Sequence, residues 1–224
     1  MPLLKLDASR IFAGLVGQSE SNLRAVIQTA EAIAPCCLWI DEVEKGFSGT
    51  KSSNATDGGT SARVFGTFLS WMQEKNTPVF VVATANDVTQ LPPEMLRKGR
   101  WDELFFVDLP NQAEREAIWE IQIGKHGRAP GDFDVVQLAK ATEGLTGSEI
   151  ENAFVEALYL AFDSGNGAGA KEPTDLDIAG VLTEFVPLSK LMAEQITGLR
   201  NWAKGRARLA TSLVAEKMGR KLLV

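Results

Sequence analysis

Along the first 110 residues, short apolar runs alternate with stretches in which apolar positions recur every three or four residues. The runs Leu3 to Leu6, Pro35 to Ile40, Val79 to Thr84 and Leu104 to Leu109 predict strands. The periodic stretches from Ser21 to Ile33 and around Ala62 to Lys75 predict helices, with a short helix near Pro93. Such alternation predicts an α/β fold, a parallel sheet with helices on both faces, because each right-handed crossover lays its helix back on the sheet. From Asn111 onward the pattern is helical. Glu114, Arg115, Ile118, Trp119 and Ile121 fall in one predicted helix and Asp134 to Ala141 in a second. Ser148 to Phe162 forms a third, in which Ile150, Phe154, Ala157, Leu158 and Ala161 share a face. Thr174 to Phe185 completes this part and opens with a Thr174-x-x-Asp177 capping pattern. The expected domains are therefore 1–110, 111–186 and a C-terminal helical extension, 187–224.

Composition supports a globular chain. With 224 residues, 45% hydrophobic and 23% charged, it can bury one substantial core and a smaller second one. There is no N-terminal leader pattern and no uninterrupted apolar run long enough to span a bilayer, so a cytoplasmic protein without membrane insertion is expected. Cys36 and Cys37 are neighbours on a predicted strand, point to opposite faces and read as buried thiols. His126, the single histidine, follows a helix beside Lys125 and Gly127 and has no companion ligands in sequence.

Charge is unevenly spread. Residues 198–224 hold seven Lys or Arg against one acid, a net +6, and the remainder holds 16 basic against 28 acidic residues, a net −12. A basic helix of this kind meets either an acidic neighbour, including its own body or a second protomer, or nucleic acid. Trp202 is its one aromatic residue, which argues against nucleic acid.

The candidate chemistry lies at strand ends. The uncharged run Pro35 to Ile40 delivers two adjacent carboxylates, Asp41 and Glu42. In a nucleotide hydrolase the first holds Mg²⁺ and the second orients the water that attacks the γ-phosphate; alone, the pattern equally describes a strand ending in a solvated acidic turn. The run Val79 to Thr84 ends in Ala85-Asn86, placing an amide at the same end of a neighbouring parallel strand, where open α/β sheets bind ligands. Arg97 and Arg100 follow on a short turn, where guanidinium groups can neutralise charge on a phosphate, with action in trans expected.

The ordered set Leu15-Val16-Gly17-Gln18-Ser19-Glu20, Ile40-Asp41-Glu42, Ala85-Asn86, Arg97-Lys98-Gly99-Arg100 and Gly144-Leu145-Thr146-Gly147-Ser148-Glu149-Ile150 resembles the AAA family of ATPases over about residues 3–160. The resemblance implies an AAA-type P-loop NTPase sheet with a small helical lid. It makes Asp41 and Glu42 the Walker B pair, with Asp41 the metal ligand, and Asn86 sensor 1. Arg97 and Arg100 become arginine fingers acting on a neighbour's nucleotide, and Gly147 and Ser148 the sensor 2 turn near the adenine. Leu15, Val16 and Gly17 take the pore-loop position. It further implies ATP and Mg²⁺ as cofactors, a hexamer, and hydrolysis coupled to remodelling of a partner macromolecule. The stretch Leu199 to Arg208 resembles, more narrowly, the uncharacterised AAA proteins of cyanobacteria and plastid genomes.

Departures from the family pattern carry their own expectations. No G-x-x-x-x-G-K-[ST] occurs, and the glycines from Gly165 to Gly169 before Lys171 lack that spacing, follow no strand and read as a loop between helices. The P-loop and first strand are then expected about 30 residues upstream, the size of one strand-helix unit, which makes this chain the C-terminal part of a longer ATPase, inactive alone. The alternative is a nucleotide-independent scaffold or regulatory subunit. Leu15 stands where many unfolding members have an aromatic residue, and Ser148 where Ala is common. The segment Gly46 to Gly59 reads as a loop facing a central pore or as a plain surface connection. Without the P-loop strand, two strands expose edges, so either Phe80 to Ala83 pairs directly with Leu104 to Val107 or the chain self-associates.

Overall fold

A computed structural model describes residues 1–8, 18–47, 58–97, 99–164 and 171–211. Contacts divide the chain into two units, Met1–Asp102 and Glu103–Val224.

In the first unit, β1 (Leu3–Asp7), β2 (Cys36–Asp41) and β3 (Val79–Ala83) form a parallel sheet in the order β1-β2-β3. Leu4 lies level with Leu38, and Leu38 with Val81, so the alternating apolar positions of all three strands share a face. That face packs against α1 (Gln18–Ala32) and α2 (Gly58–Glu74). Leu38, Ile40 and Val79 are buried with Leu23 and Ala30 of α1 and Val64 and Phe68 of α2. Parallel strands need long crossovers, which these helices supply. The other face carries Leu3, Cys37, Trp39, Phe80 and Val82. Leu3 and Phe80 are exposed there, and the Lys5 ammonium sits 4.4 Å above the Trp39 ring.

The second unit contains β4 (Phe105–Phe106), α3 (Gln112–Lys125), α4 (Val135–Ala141), α5 (Gly147–Ser164), α6 (Asp175–Glu184), α7 (Leu188–Leu191), α8 (Ala193–Ala203) and β5 (Arg208–Leu209). Trp119, Ile123, Leu138, Ile150, Phe154, Ala157 and Ile178 form its core. Trp119 meets Phe154 edge-on at 6.2 Å and donates its indole N–H to the buried Thr142 hydroxyl at 3.2 Å, so its one polar group is satisfied. The expected Thr174–Asp177 capping box opens α6, and a second one, Asn111–Glu114, opens α3.

Three differences from the sequence expectations have physical causes. Helices α1 and α2 begin a few residues earlier than their apolar periodicity, at Gln18 and Gly58, because polar first turns carry no periodic signal. No helix forms at Pro93; a short 3₁₀ turn, Val88–Gln90, capped by Asp87, precedes a bend instead. The last strand is two residues long rather than six and belongs to the second unit. It pairs not with β3 but in parallel with β5, Phe105 level with Arg208. Among the described residues, Phe80 to Ala83 and Leu104 to Val107 thus belong to two separate sheets. Part of the basic extension supplies β4's partner.

Candidate functional site

The register that sets Ile40 level with Ala83 brings the carboxyl ends of β2 and β3 together. Beyond it the backbones remain stitched: Thr84 N–H donates to Ile40 O and Val43 N–H to Thr84 O, both at 2.9 Å. Between these bonds Glu42 adopts φ +49°, a left-handed conformation that a non-glycine residue holds only where its surroundings enforce it. Here the enforcement is visible. Glu42 N–H donates to Thr84 Oγ1 at 3.0 Å, and the Thr84 hydroxyl donates to Asp41 Oδ1 at 2.7 Å. Lys5 Nζ lies 3.3 Å from Asp41 Oδ2. The Thr84 hydrogen bond first, and Lys5 after it, hold the Asp41 carboxyl below its ordinary pKa, so it is ionised wherever a cation is to be bound.

Asn86, from the segment after β3, donates its side-chain amide to Glu42 Oε1 at 3.1 Å, and Lys45 Nζ approaches Glu42 Oε2 at 2.5 Å. Asn86 is itself positioned, because its backbone N–H donates to Glu44 Oε1 at 3.0 Å. Glu44 is buried, and its second oxygen has no partner among the described residues. Asp41, Glu42 and Asn86 are thus brought together as the spacing predicts. Thr84 and Glu44, which the sequence reading did not single out, bind them into one network. The available signal was weak: a hydroxyl two residues before the amide and a third acid in Asp41-Glu42-Val43-Glu44.

Asp41 is suited to a hard cation completed by substrate oxygens and water, the usual way Mg²⁺ is held. Among the described residues, no group of three His, Cys, Asp or Glu side chains is placed to form an all-protein metal cage.

The arginines occupy a turn whose flanks are anchored, with Met95 buried and Trp101 packed on the first unit's core. Gly99 takes φ +88°, which bends the chain so that Arg100 N–H reaches Arg97 O at 3.3 Å. The Arg100 guanidinium donates to Gln73 at the end of α2, whereas the Arg97 side chain is exposed and makes no hydrogen bond or ion pair among the described residues. Leu15, Val16 and Gly17 lie outside the described residues.

In the second unit, Gly147 opens α5 and lines an open cavity of about 650 Å³ together with Pro110, Ile118, Thr146, Ile196 and Leu199. A Cβ on Gly147 would meet Ile118 at 3.7 Å, so the glycine is not required for packing. Ser148 is exposed and does not line the cavity. Glu149 caps the helix start, accepting from Thr146 N–H at 2.7 Å.

Comparison with known proteins gives the same family. The model of the ATPase family associated with various cellular activities (AAA) matches residues 1–109, and that of the AAA+ lid domain matches residues 132–177. The chain is similar to the uncharacterized AAA domain-containing protein ycf46 of Pyropia yezoensis, 48% identical over 213 residues, covering 94% of this chain and 42% of that protein. The ycf46 protein of Trieres chinensis is 48% identical over 216 residues, covering 95% of this chain and 42% of the relative. An uncharacterized AAA domain-containing protein of Schizosaccharomyces pombe is 31% identical over 197 residues, 85% of this chain and 23% of that protein. The chain thus spans less than half the length of the curated relatives it matches. No helix among the described residues is long and apolar enough to cross a membrane. With the carboxylate pair and amide at adjacent ends of a parallel sheet, a following helical unit, and both family models matched in order, the chain belongs to the AAA family of ATPases.

Proposed function

We propose that this chain carries the catalytic carboxylates, sensor, arginine fingers and lid of an ATPase that couples ATP binding and hydrolysis to remodelling of a partner macromolecule, assembled as a hexamer. The observation that carries the reading is the network of Asp41, Glu42, Thr84 and Asn86 at the ends of β2 and β3. A carboxylate whose titration is lowered by a hydroxyl donor stands next to one oriented by an amide. Asp41 would hold a Mg²⁺ ion, whose charge would offset that of the phosphates. Glu42 would hold and polarise the attacking water, with Asn86 fixing the direction of its carboxylate. Arg97, whose guanidinium is exposed and without a partner among the described residues, would reach a neighbouring protomer's nucleotide, with Arg100 beside it on Gln73. Gly147 and the cavity beside it would take the adenine, and Leu15, Val16 and Gly17 the translocated partner.

None of the 224 residues supplies a G-x-x-x-x-G-K-[ST] cradle, so this reading needs a phosphate cradle from another source. Calorimetry with ATP and Mg²⁺ on the 224-residue chain, beside a form extended upstream in its reading frame, tests this directly. Binding by the extended form alone is expected. In that form Glu42→Gln should keep nucleotide affinity and lower turnover by at least about 10²-fold, the usual worth of a positioned base. Unchanged turnover would remove Glu42 from the chemistry.

The same missing cradle favours one second reading, a scaffold that stimulates a complete neighbour through its arginines. Arg97→Ala and Arg100→Ala should then abolish stimulation in a mixed assembly, while the extended form shows no hydrolysis of its own.

A further inference from the structure

The segment from Pro187 to Thr211 folds back onto the residues around the Gly147 cavity. Its first contact is at the helix start, where Leu188 N–H donates to Glu149 Oε1 at 2.6 Å. Ser189 lies so close to the same turn that a Cβ on Gly144 would come within 2.9 Å of its hydroxyl. Next, α8 carries Ile196 and Leu199 into the cavity wall. One residue on, the Arg200 guanidinium grips Asp108 through Nε, at 3.0 and 2.9 Å from the two carboxylate oxygens, and through Nη2 at 2.8 Å. Fork-to-fork geometry of this kind fixes direction as well as distance. Finally β5 joins β4, with Arg208 N–H donating to Leu104 O at 2.8 Å and Ala210 N–H to Phe106 O at 2.9 Å. Arg208 Nη1 also reaches Glu103 at 3.0 Å.

These attachments leave a pocket of definite character. Its volume, about 650 Å³, falls within the range of about 300–1,000 Å³ usual for small-molecule sites. Its carboxylates are already committed. Asp108 accepts from Arg200 and from Leu109 N–H, and Glu114 from Asn111 N–H. What remains is mostly apolar side chain and backbone, with the hydroxyl-bearing Thr146, which donates to Glu149, and Thr211 at its wall, a surface suited to the faces of a planar heterocycle rather than to a charged ligand.

We propose that residues 187–211 are a strap forming one wall of the nucleoside pocket, with Ile196 and Leu199 touching the bound base and the Arg200–Asp108 pair holding that wall closed. The proposal rests on the reading above that this cavity receives the adenine. Base binding and strap docking then stabilise one another, because each presents the other with apolar surface removed from water.

The test is equilibrium binding of a fluorescent N-methylanthraniloyl-ADP to the form extended upstream in its reading frame, with trypsin cleavage after Lys204 and Arg206 as a second readout. Arg200→Asp and Asp108→Arg should each weaken binding about tenfold or more, and should expose those bonds to trypsin. The double swap should restore both. Leu199→Ala should weaken binding while leaving the strap protected, since it removes base contact and not the clasp. Bound nucleotide should slow cleavage of the parent protein. Full affinity in Arg200→Asp, Asp108→Arg and Leu199→Ala would overturn the strap while leaving the ATPase reading intact. Absence of nucleotide binding by the parent would overturn both.

Discussion

At the scale of single residues, the site depends on a hydroxyl. Thr84 is the donor to Asp41 and the acceptor for the strained Glu42 backbone, so one side chain both lowers the titration of the first carboxylate and fixes the backbone that directs the second. Thr84→Val keeps the shape and removes the hydroxyl. The Asp41 carboxyl should then titrate at higher pH, closer to its ordinary value, as followed by carboxyl carbon chemical shifts. Stability follows with a definite sign. A carboxyl depressed in the folded state contributes stability at pH values above its unfolded pKa, and that contribution is lost as pH falls through the depressed value. The parent and Thr84→Val should therefore differ most above the ordinary carboxylate range and converge in stronger acid. An unmoved Asp41 midpoint would show that the lysine charges, Lys5 and Lys45, depress it without help from the hydroxyl. Asp41, Glu42 and Asn86 were legible in the sequence because a charge doublet or an amide interrupts an apolar run. Thr84 and Glu44 were not, since their roles arise only when two strands, 43 positions apart at Thr84 and Asp41, are laid in register.

At the scale of elements, the lid shows how far periodicity reaches. Its helices could be placed from apolar spacing, and the cap of α6 from Thr174 and Asp177, because helix signals are local. The strand near Leu104 could not be sized, because a strand extends only as far as its partner does, and that partner, Arg208–Leu209, is a basic segment without strand pattern. Two substitutions probe the lid. Trp119→Ala removes a fully buried ring and the donor to the Thr142 hydroxyl, which keeps its own bond to Leu138 O, and should cost about 3–5 kcal/mol in denaturant titrations of the lid transition. Gly144 sits at φ +83°, and any side chain there adds a left-handed penalty to a collision with Ser189. Gly144→Ala should cost about 1–2 kcal/mol or more, and should lower the unfolding midpoint without changing the denaturant slope. A neutral result would mean that α7 shifts freely, which would also loosen the start of the strap.

At the scale of the whole molecule, the first unit's sheet has an unbalanced surface. Parallel sheets are ordinarily covered on both faces, yet the described helices cover one, leaving Phe80 62% and Val82 38% exposed on the outermost strand. The edge of β3 has no strand partner among the described residues, since β4 pairs with β5 instead. Among the described residues β3 and β4 belong to separate sheets, so self-association is the expected outcome to test on this edge. The net charge of −6 opposes indiscriminate association, so any that persists at moderate salt should be sited on the apolar face rather than spread over the surface. Sedimentation velocity of the 224-residue chain should accordingly show a coefficient that rises with concentration, and Phe80→Lys with Val82→Lys should flatten that dependence. Both positions point away from the packed core, so the double substitution should leave the thermal midpoint nearly unchanged, which separates lost association from lost folding. A parent chain that stays monomeric across the same range would show that the exposed strand is protected by its twist or by residues outside those described, and the edge would then carry no weight in assembly.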